Sequence, residues 1–167
     1  MSKPFVAIVM GSDSDLPVME ASFAVLRAFG IPFEARITSA HRTPDMTKEY
    51  IKDAEQRGCA VFIAAAGMAA HLAGAVSAAT VKPVIGVPMN ASLDGLDALL
   101  STVQMPAGIP VATVAVGKAG AKNAAYLAAQ ILSVADETLA EKLREERAAN
   151  AKEIGRKNQA LQDSLKA

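Results

Sequence analysis

A chain of 167 residues with 51% hydrophobic residues is sized for one domain and can bury one continuous core. Lysine plus arginine balance aspartate plus glutamate at 17 each, so there is no basic field to neutralise the phosphates of a nucleic-acid polymer. The single cysteine, Cys59, rules out an intrachain disulfide and suits a buried small side chain in a reducing compartment. The amino terminus shows no secretory pattern, and the uncharged stretch 59–81, interrupted by His71, reads as strand, turn and helix rather than a membrane span. A cytoplasmic protein without membrane attachment is expected.

Phe5-Val6-Ala7-Ile8-Val9-Met10 is a short, continuous apolar run, the mark of a strand buried on both faces, and Gly11-Ser12-Asp13-Ser14-Asp15 leads from it into a helix. Pro17 suits the first turn of that helix, and Met19, Phe23, Leu26 and Phe29 recur at helical spacing until Gly30-Ile31-Pro32 stops it. A second strand spans 33–37. Thr43 as N-cap and Pro44 at the first position open a helix that Gly58 closes. A third strand covers 59–65, followed by a small-residue helix over 69–78, a strand over 84–87, a helix over 93–100 and a strand over 111–116. Gly117-Lys118-Ala119-Gly120 then enters an alanine-rich helix that runs through Leu132 and beyond.

Apolar strands alternating with helices predict a parallel sheet covered on both faces. The expected fold is an α/β three-layer α/β/α sandwich with a doubly wound, flavodoxin-like sheet, a single catalytic domain over 1–135. Residues 136–167 differ, being charged with a thin apolar stripe at Leu139, Leu143, Ile154, Leu161 and Leu165. They form either a helical extension that buries its stripe on a neighbouring subunit or a solvated tail that frays after Gly155.

In a parallel sheet, the loops leaving the carboxyl ends of the strands share one edge, where ligands bind. Gly11, Ser12, Ser14 and Asp15 follow the first strand; they either cap and turn the chain or cradle a phosphate at a helix amino end, Asp15 then accepting from ribose hydroxyls. Walker and dinucleotide glycine patterns are absent. Ser39, Ala40, His41 and Arg42 follow the second strand. Arg42 supplies a planar, permanently charged fork for phosphate oxygens, and Ser39 a hydroxyl donor. His41, with an unperturbed pKa of about 6.5, is either a surface histidine or a proton carrier near neutrality. Gly67, Met68, Ala69, His71 and Leu72 follow the third strand; their small bulk lets a ligand approach the backbone, and His71 is read as a pocket residue. No metal-ligand cluster and no Gly-x-Ser-x-Gly elbow is present. The two-proline loop 104–110 either shapes the pocket rim or stiffens a connection.

Taken together, Gly-Ser-Asp-Ser-Asp, Ser-Ala-His-Arg-Thr-Pro, Ala-Ala-His-Leu and the stretch from Pro83 through Gly95-Leu96-Asp97 to Gln104-Met105-Pro106 closely resemble the class I N5-carboxyaminoimidazole ribonucleotide mutase (PurE) family over residues 5–135. The resemblance implies conversion of N5-carboxyaminoimidazole ribonucleotide to 4-carboxy-5-aminoimidazole ribonucleotide in de novo purine biosynthesis, without metal, ATP or biotin. It implies His41 as general acid/base, Ser12 and Asp15 as substrate ligands, Arg42 as phosphate ligand, and a homo-octamer whose carboxyl-terminal helices reach neighbouring subunits. Leu16, Ala73 and Asn90 stand where relatives often carry an aromatic residue, proline and glutamine. Two alternatives follow from the same scaffold: a carboxylase joining carbon dioxide directly to aminoimidazole ribonucleotide, and a non-catalytic nucleotide or flavin-binding module.

Overall fold

The computed structural model describes residues 4–166. Met1 to Lys3, where the amino-terminal segment read for an export signal begins, and Ala167 lie outside the described residues. The chain divides into one unit ending at Ile131 and a second beginning at Leu132.

The first unit alternates strands and helices. These are β1 (Phe5–Met10), α1 (Leu16–Phe29), β2 (Phe33–Ile37), α2 (Pro44–Gln56), β3 (Cys59–Ala66), α3 (Leu72–Ser77), β4 (Val84–Pro88), α4 (Leu96–Val103), β5 (Ala112–Thr113) and α5 (Gly117–Ser133), whose last two residues already belong to the second unit. The strands form one five-stranded sheet in the order β2-β1-β3-β4-β5, and every pairing is parallel. This is the expected doubly wound sandwich. β1 lies inside the sheet, with Ile8 level with Ala35 on one side and Ile63 on the other. All six of its residues are buried, which is why its sequence is apolar without alternation. β2 is an edge strand and keeps Glu34 and Arg36 in an otherwise apolar run.

Side chains from alternate strand positions fill two layers. On one face Phe5, Ala7, Val9, Phe62 and Ala64 pack with Tyr50, Ile51 and Ala54 of α2 and with Leu72, Ala73 and Val76 of α3. On the other face α1 buries Met19, Phe23, Leu26 and Phe29, the spacing expected of its apolar stripe. There α1 meets α5: Ser22 donates to the Ala121 carbonyl at 2.5 Å, and Phe29 meets Tyr126 edge-on with ring centroids 5.8 Å apart. Cys59 is buried at the start of β3, and burial pushes its thiol up to about 11, so it is an inert core group.

Several expected boundaries move. α3 begins at Leu72 rather than Ala69, because Met68 takes a left-handed φ of 56° and the chain spends the preceding residues as a loop. The element after β4 is divided: Leu93, Asp94 and Gly95 all have positive φ, and α4 starts only at Leu96. β5 has two residues, although Val114 still donates to the Gly86 carbonyl at 3.1 Å. Thr43 occupies the N-cap position of α2 without capping it, since its hydroxyl accepts from the Ser39 N–H at 2.9 Å.

The second unit is dominated by α6 (Glu137–Ser164), whose N-cap Asp136 accepts from the Leu139 N–H at 3.0 Å. The helix continues through Gly155, so the chain does not fray there. Leu139 and Leu143 are buried, whereas Ile154, Leu161 and Leu165 are exposed. Among the described residues, no helix is long and apolar enough to cross a membrane.

Candidate active site

A cleft of about 520 Å³ opens at the carboxyl ends of the strands, a size suited to a small ligand. The chain leaves β1 toward β2 and leaves β3 toward β4, so the crossovers diverge between β1 and β3 and a crevice is left there. The loops after β1, β2 and β3 line it. Every residue that the sequence assigns to the site lines this one cleft: Gly11, Ser12, Ser14 and Asp15; Ser39, Ala40, His41 and Arg42; Gly67, Met68, Ala69, His71 and Leu72. Ala66 and Ala91 complete it. Ala91 follows β4 and was open to the same topological argument, whereas the loop 104–110 precedes β5. That loop must therefore return to the amino edge, where Gly108, Ile109 and Pro110 line a separate crevice with Ser77 and Val84.

The first loop is held by its own polar groups. Ser12 is extended and caps a short 3-10 turn, Asp13–Asp15, accepting from the Ser14 N–H at 3.3 Å, while Asp15 Oδ2 accepts from the Ser12 N–H at 3.2 Å. This reciprocal pair is a capping box, so the loop does cap and turn the chain. The Ser14 hydroxyl donates to Ser12 Oγ at 2.9 Å. Asp15 is buried; burial pushes its carboxyl pKa up, and the backbone N–H groups of Ser12 and Gly11 act against that rise.

The second loop is pinned from beneath. Ser39 Oγ accepts from the backbone N–H of His41 at 3.3 Å and of Arg42 at 3.1 Å, and Thr43 N–H donates to the Ser39 carbonyl at 3.0 Å. Below it the buried hydroxyls of Thr38 and Thr47 lie 2.6 Å apart. These bonds fix the backbone of His41 and Arg42 while leaving both side chains exposed. Arg42 reaches toward the first loop, its guanidinium 3.5 Å from the Gly11 carbonyl, a long contact that an anion would readily replace.

The third loop brings backbone close to the cleft. A Cβ on Gly67 would stand 2.7 Å from the Ala91 Cβ, so glycine lets the loops after β3 and β4 meet. The left-handed Met68 beside it is a strained conformation of the kind that clusters at binding sites. His71 lines the pocket as the sequence predicts, but its contact with His41 is not foreseeable from spacing. Its Nδ1 lies 2.7 Å from His41 Nε2, with ring centroids 4.8 Å apart and planes inclined by 81°. The cleft thus combines a fixed cation, several hydroxyls, one carboxylate and a hydrogen-bonded histidine pair. That set can hold an anion and move a proton. Among the described residues, no group of three histidine, cysteine, aspartate or glutamate side chains is placed to hold a metal ion.

A doubly wound parallel sheet with such a cleft at its switch point defines a small-molecule-binding α/β protein. Residues 5–153 match the model of the AIR carboxylase family, and the chain belongs to that family. It is 58% identical over 143 residues to N5-carboxyaminoimidazole ribonucleotide mutase of Pyrococcus horikoshii, a match covering 85% of this chain and 80% of that protein. It is 53% identical over 160 residues to the mutase of the same name from Thermotoga maritima, covering 95% and 92%. Among solved structures it resembles Treponema denticola PurE at 34% identity and a TM-score of 0.83, covering 91% of this chain and 94% of that one.

Proposed function

We propose that this chain is an isomerase converting N5-carboxyaminoimidazole ribonucleotide to 4-carboxy-5-aminoimidazole ribonucleotide in purine biosynthesis, with His41 as general acid/base. The observation that carries the reading is His41, exposed on a rigidly bonded loop in the one cleft where hydroxyls and Arg42 also converge. The names of the mutase relatives support the substrate and reaction.

In this reading Arg42 and the hydroxyls of Ser12, Ser14 and Ser39 hold the phosphate, and Asp15 orients the ribose. Protonation of the carbamate nitrogen lets carbon dioxide leave, the ring carbon captures it, and removal of the proton from that carbon restores the ring. One histidine serves both transfers. Ala40, Gly67, Met68, Ala69, His71 and Leu72 wall the cleft and keep the carbon dioxide at the ring, while the phosphate and ribose contacts hold the ring in place as the carboxylate moves. The protein works in the cytoplasm as a homo-octamer, with the catalytic domain over 1–135 and the helical extension over 136–167 resting on a neighbouring subunit; the exposed Ile154, Leu161 and Leu165 support such a contact.

The test is turnover of N5-carboxyaminoimidazole ribonucleotide by the purified protein. His41→Asn is expected to lower kcat by about 100- to 10,000-fold, and Arg42→Ala to act mainly on KM. Product formed only from aminoimidazole ribonucleotide and bicarbonate would make it a carboxylase, and binding without turnover would make it a non-catalytic module.

A further inference from the structure

The contact between the two histidines carries a consequence that deepens the proposed reaction and rests on His41 being its proton carrier. At 2.7 Å one hydrogen fits between His41 Nε2 and His71 Nδ1, so these nitrogens are neither both protonated nor both bare. The neutral pair then has two arrangements. If His71 donates, the unshared nitrogen of His41, Nδ1, already carries a hydrogen, and no lone pair is left to act as a base. If His41 donates through Nε2, its Nδ1 offers a lone pair, and the imidazolium formed on taking up a proton keeps the same bond to His71.

We propose that His71 is a positioning residue that accepts this bond, selects the Nε2-protonated tautomer of His41 and makes Nδ1 the nitrogen that exchanges protons with substrate. Its backbone is well placed for that task. His71 opens α3, donates to the Ala69 carbonyl at 2.8 Å, accepts from the Ala75 N–H at 2.9 Å, and sits between the buried Ala70 and Leu72. The logic is that of any base whose far nitrogen is fixed by a second group. A neutral acceptor suits this cleft better than a carboxylate, because the proposed substrate brings a phosphate and a carboxylate of its own. Charged groups on the surrounding loops and helix ends are Asp13, Asp15, Arg42 and Asp45, and α3 carries none.

In the proposed reaction the imidazolium gives its Nδ1 proton to the carbamate nitrogen. The N–C bond breaks with its electron pair left on nitrogen, freeing carbon dioxide, and the ring carbon bonds to that carbon dioxide. Neutral Nδ1 then takes the proton from the ring carbon, the electrons of that C–H bond return to the ring, and the imidazolium is restored. The hydrogen on His41 Nε2 stays bonded to His71 throughout.

The chain has two histidines, so histidine labelled with nitrogen-15 gives two ring systems. Long-range proton–nitrogen NMR of the ligand-free protein at about pH 8, above the ordinary histidine range, is expected to show His41 with hydrogen on Nε2 and a bare Nδ1. His71→Phe is expected to mix the tautomers and lower kcat by about 10- to 100-fold with KM within about threefold. His71→Asn, whose carbonyl can accept the bond, is expected to recover much of that loss. Hydrogen on His41 Nδ1 in the wild type, an unchanged kcat in His71→Phe, or a loss confined to KM would each overturn the proposal. A wild-type protein that shows the Nε2 tautomer but is inert toward the ribonucleotide supports the pairing and overturns the proposed reaction instead.

Discussion

At the scale of single residues, the site depends as much on side chains that are missing as on those present. Gly67 is the clearest case: an added methyl would meet Ala91 at 2.7 Å and the Met89 Cβ at 3.4 Å, neither of which is the far end of a flexible chain. Gly67→Ala must therefore push the loops after β3 and β4 apart. Its expected cost is about 1–3 kcal/mol of stability, measured by chemical denaturation, together with weaker substrate binding. Unchanged stability and unchanged KM would show that the two loops are not packed as described. Chemical type was readable here from residue order alone, since a histidine, an arginine and short hydroxyl residues after consecutive strands point to one edge. The 2.7 Å approach of His71 to His41 was not, because it depends on where α3 begins, and the left-handed turn at Met68 moves that start.

Among the elements, the edge strand β2 is tied to α2 by charge. Arg57 forms an ion pair with Glu34 and bonds to Asp53 Oδ2 at 2.8 Å, and Tyr50 donates to Glu34 at 3.3 Å. The hydrogen bonds from Arg57 hold the Glu34 carboxyl below its ordinary pKa of 4.5. A lowered carboxylate pKa adds stability above the ordinary value and loses it as pH falls through the folded one. Denaturation at a series of pH values should therefore show Arg57→Ala less stable than wild type near pH 7, with the two curves converging in acid below the lowered Glu34 pKa. A constant gap across that range would rule out this linkage. Most elements follow from pattern: the continuous apolar run of β1, the helically spaced stripe of α1 and the closing Gly58. The exceptions lie where tertiary contacts override local preference, as in the left-handed Leu93, Asp94 and Gly95 before α4.

For the molecule as a whole, apolar side chains remain uncovered. Leu96, Leu100 and Val103 stand out from α4, and Ile154, Leu161 and Leu165 from the carboxyl-terminal unit. Light scattering of the full chain is expected to give the mass of an octamer of 17.3 kDa subunits, and replacing Ile154, Leu161 and Leu165 together by aspartate is expected to yield smaller species. A monomer at micromolar concentration would exclude that assembly. The layered architecture was written in the alternation of apolar strands and helices, but nothing in one chain's residue order states how many copies meet.

The interior position of β1 also bears on how the protein is born. Both of its sheet neighbours, β2 and β3, belong to the first 66 residues, and the histidine pair is complete at residue 71. Translation at about 5–20 residues per second delivers these parts before β4 leaves the ribosome. Three adjoining strands and the loops that carry Arg42, His41 and His71 thus emerge together, while the later residues supply β4 and β5 on one flank of the sheet.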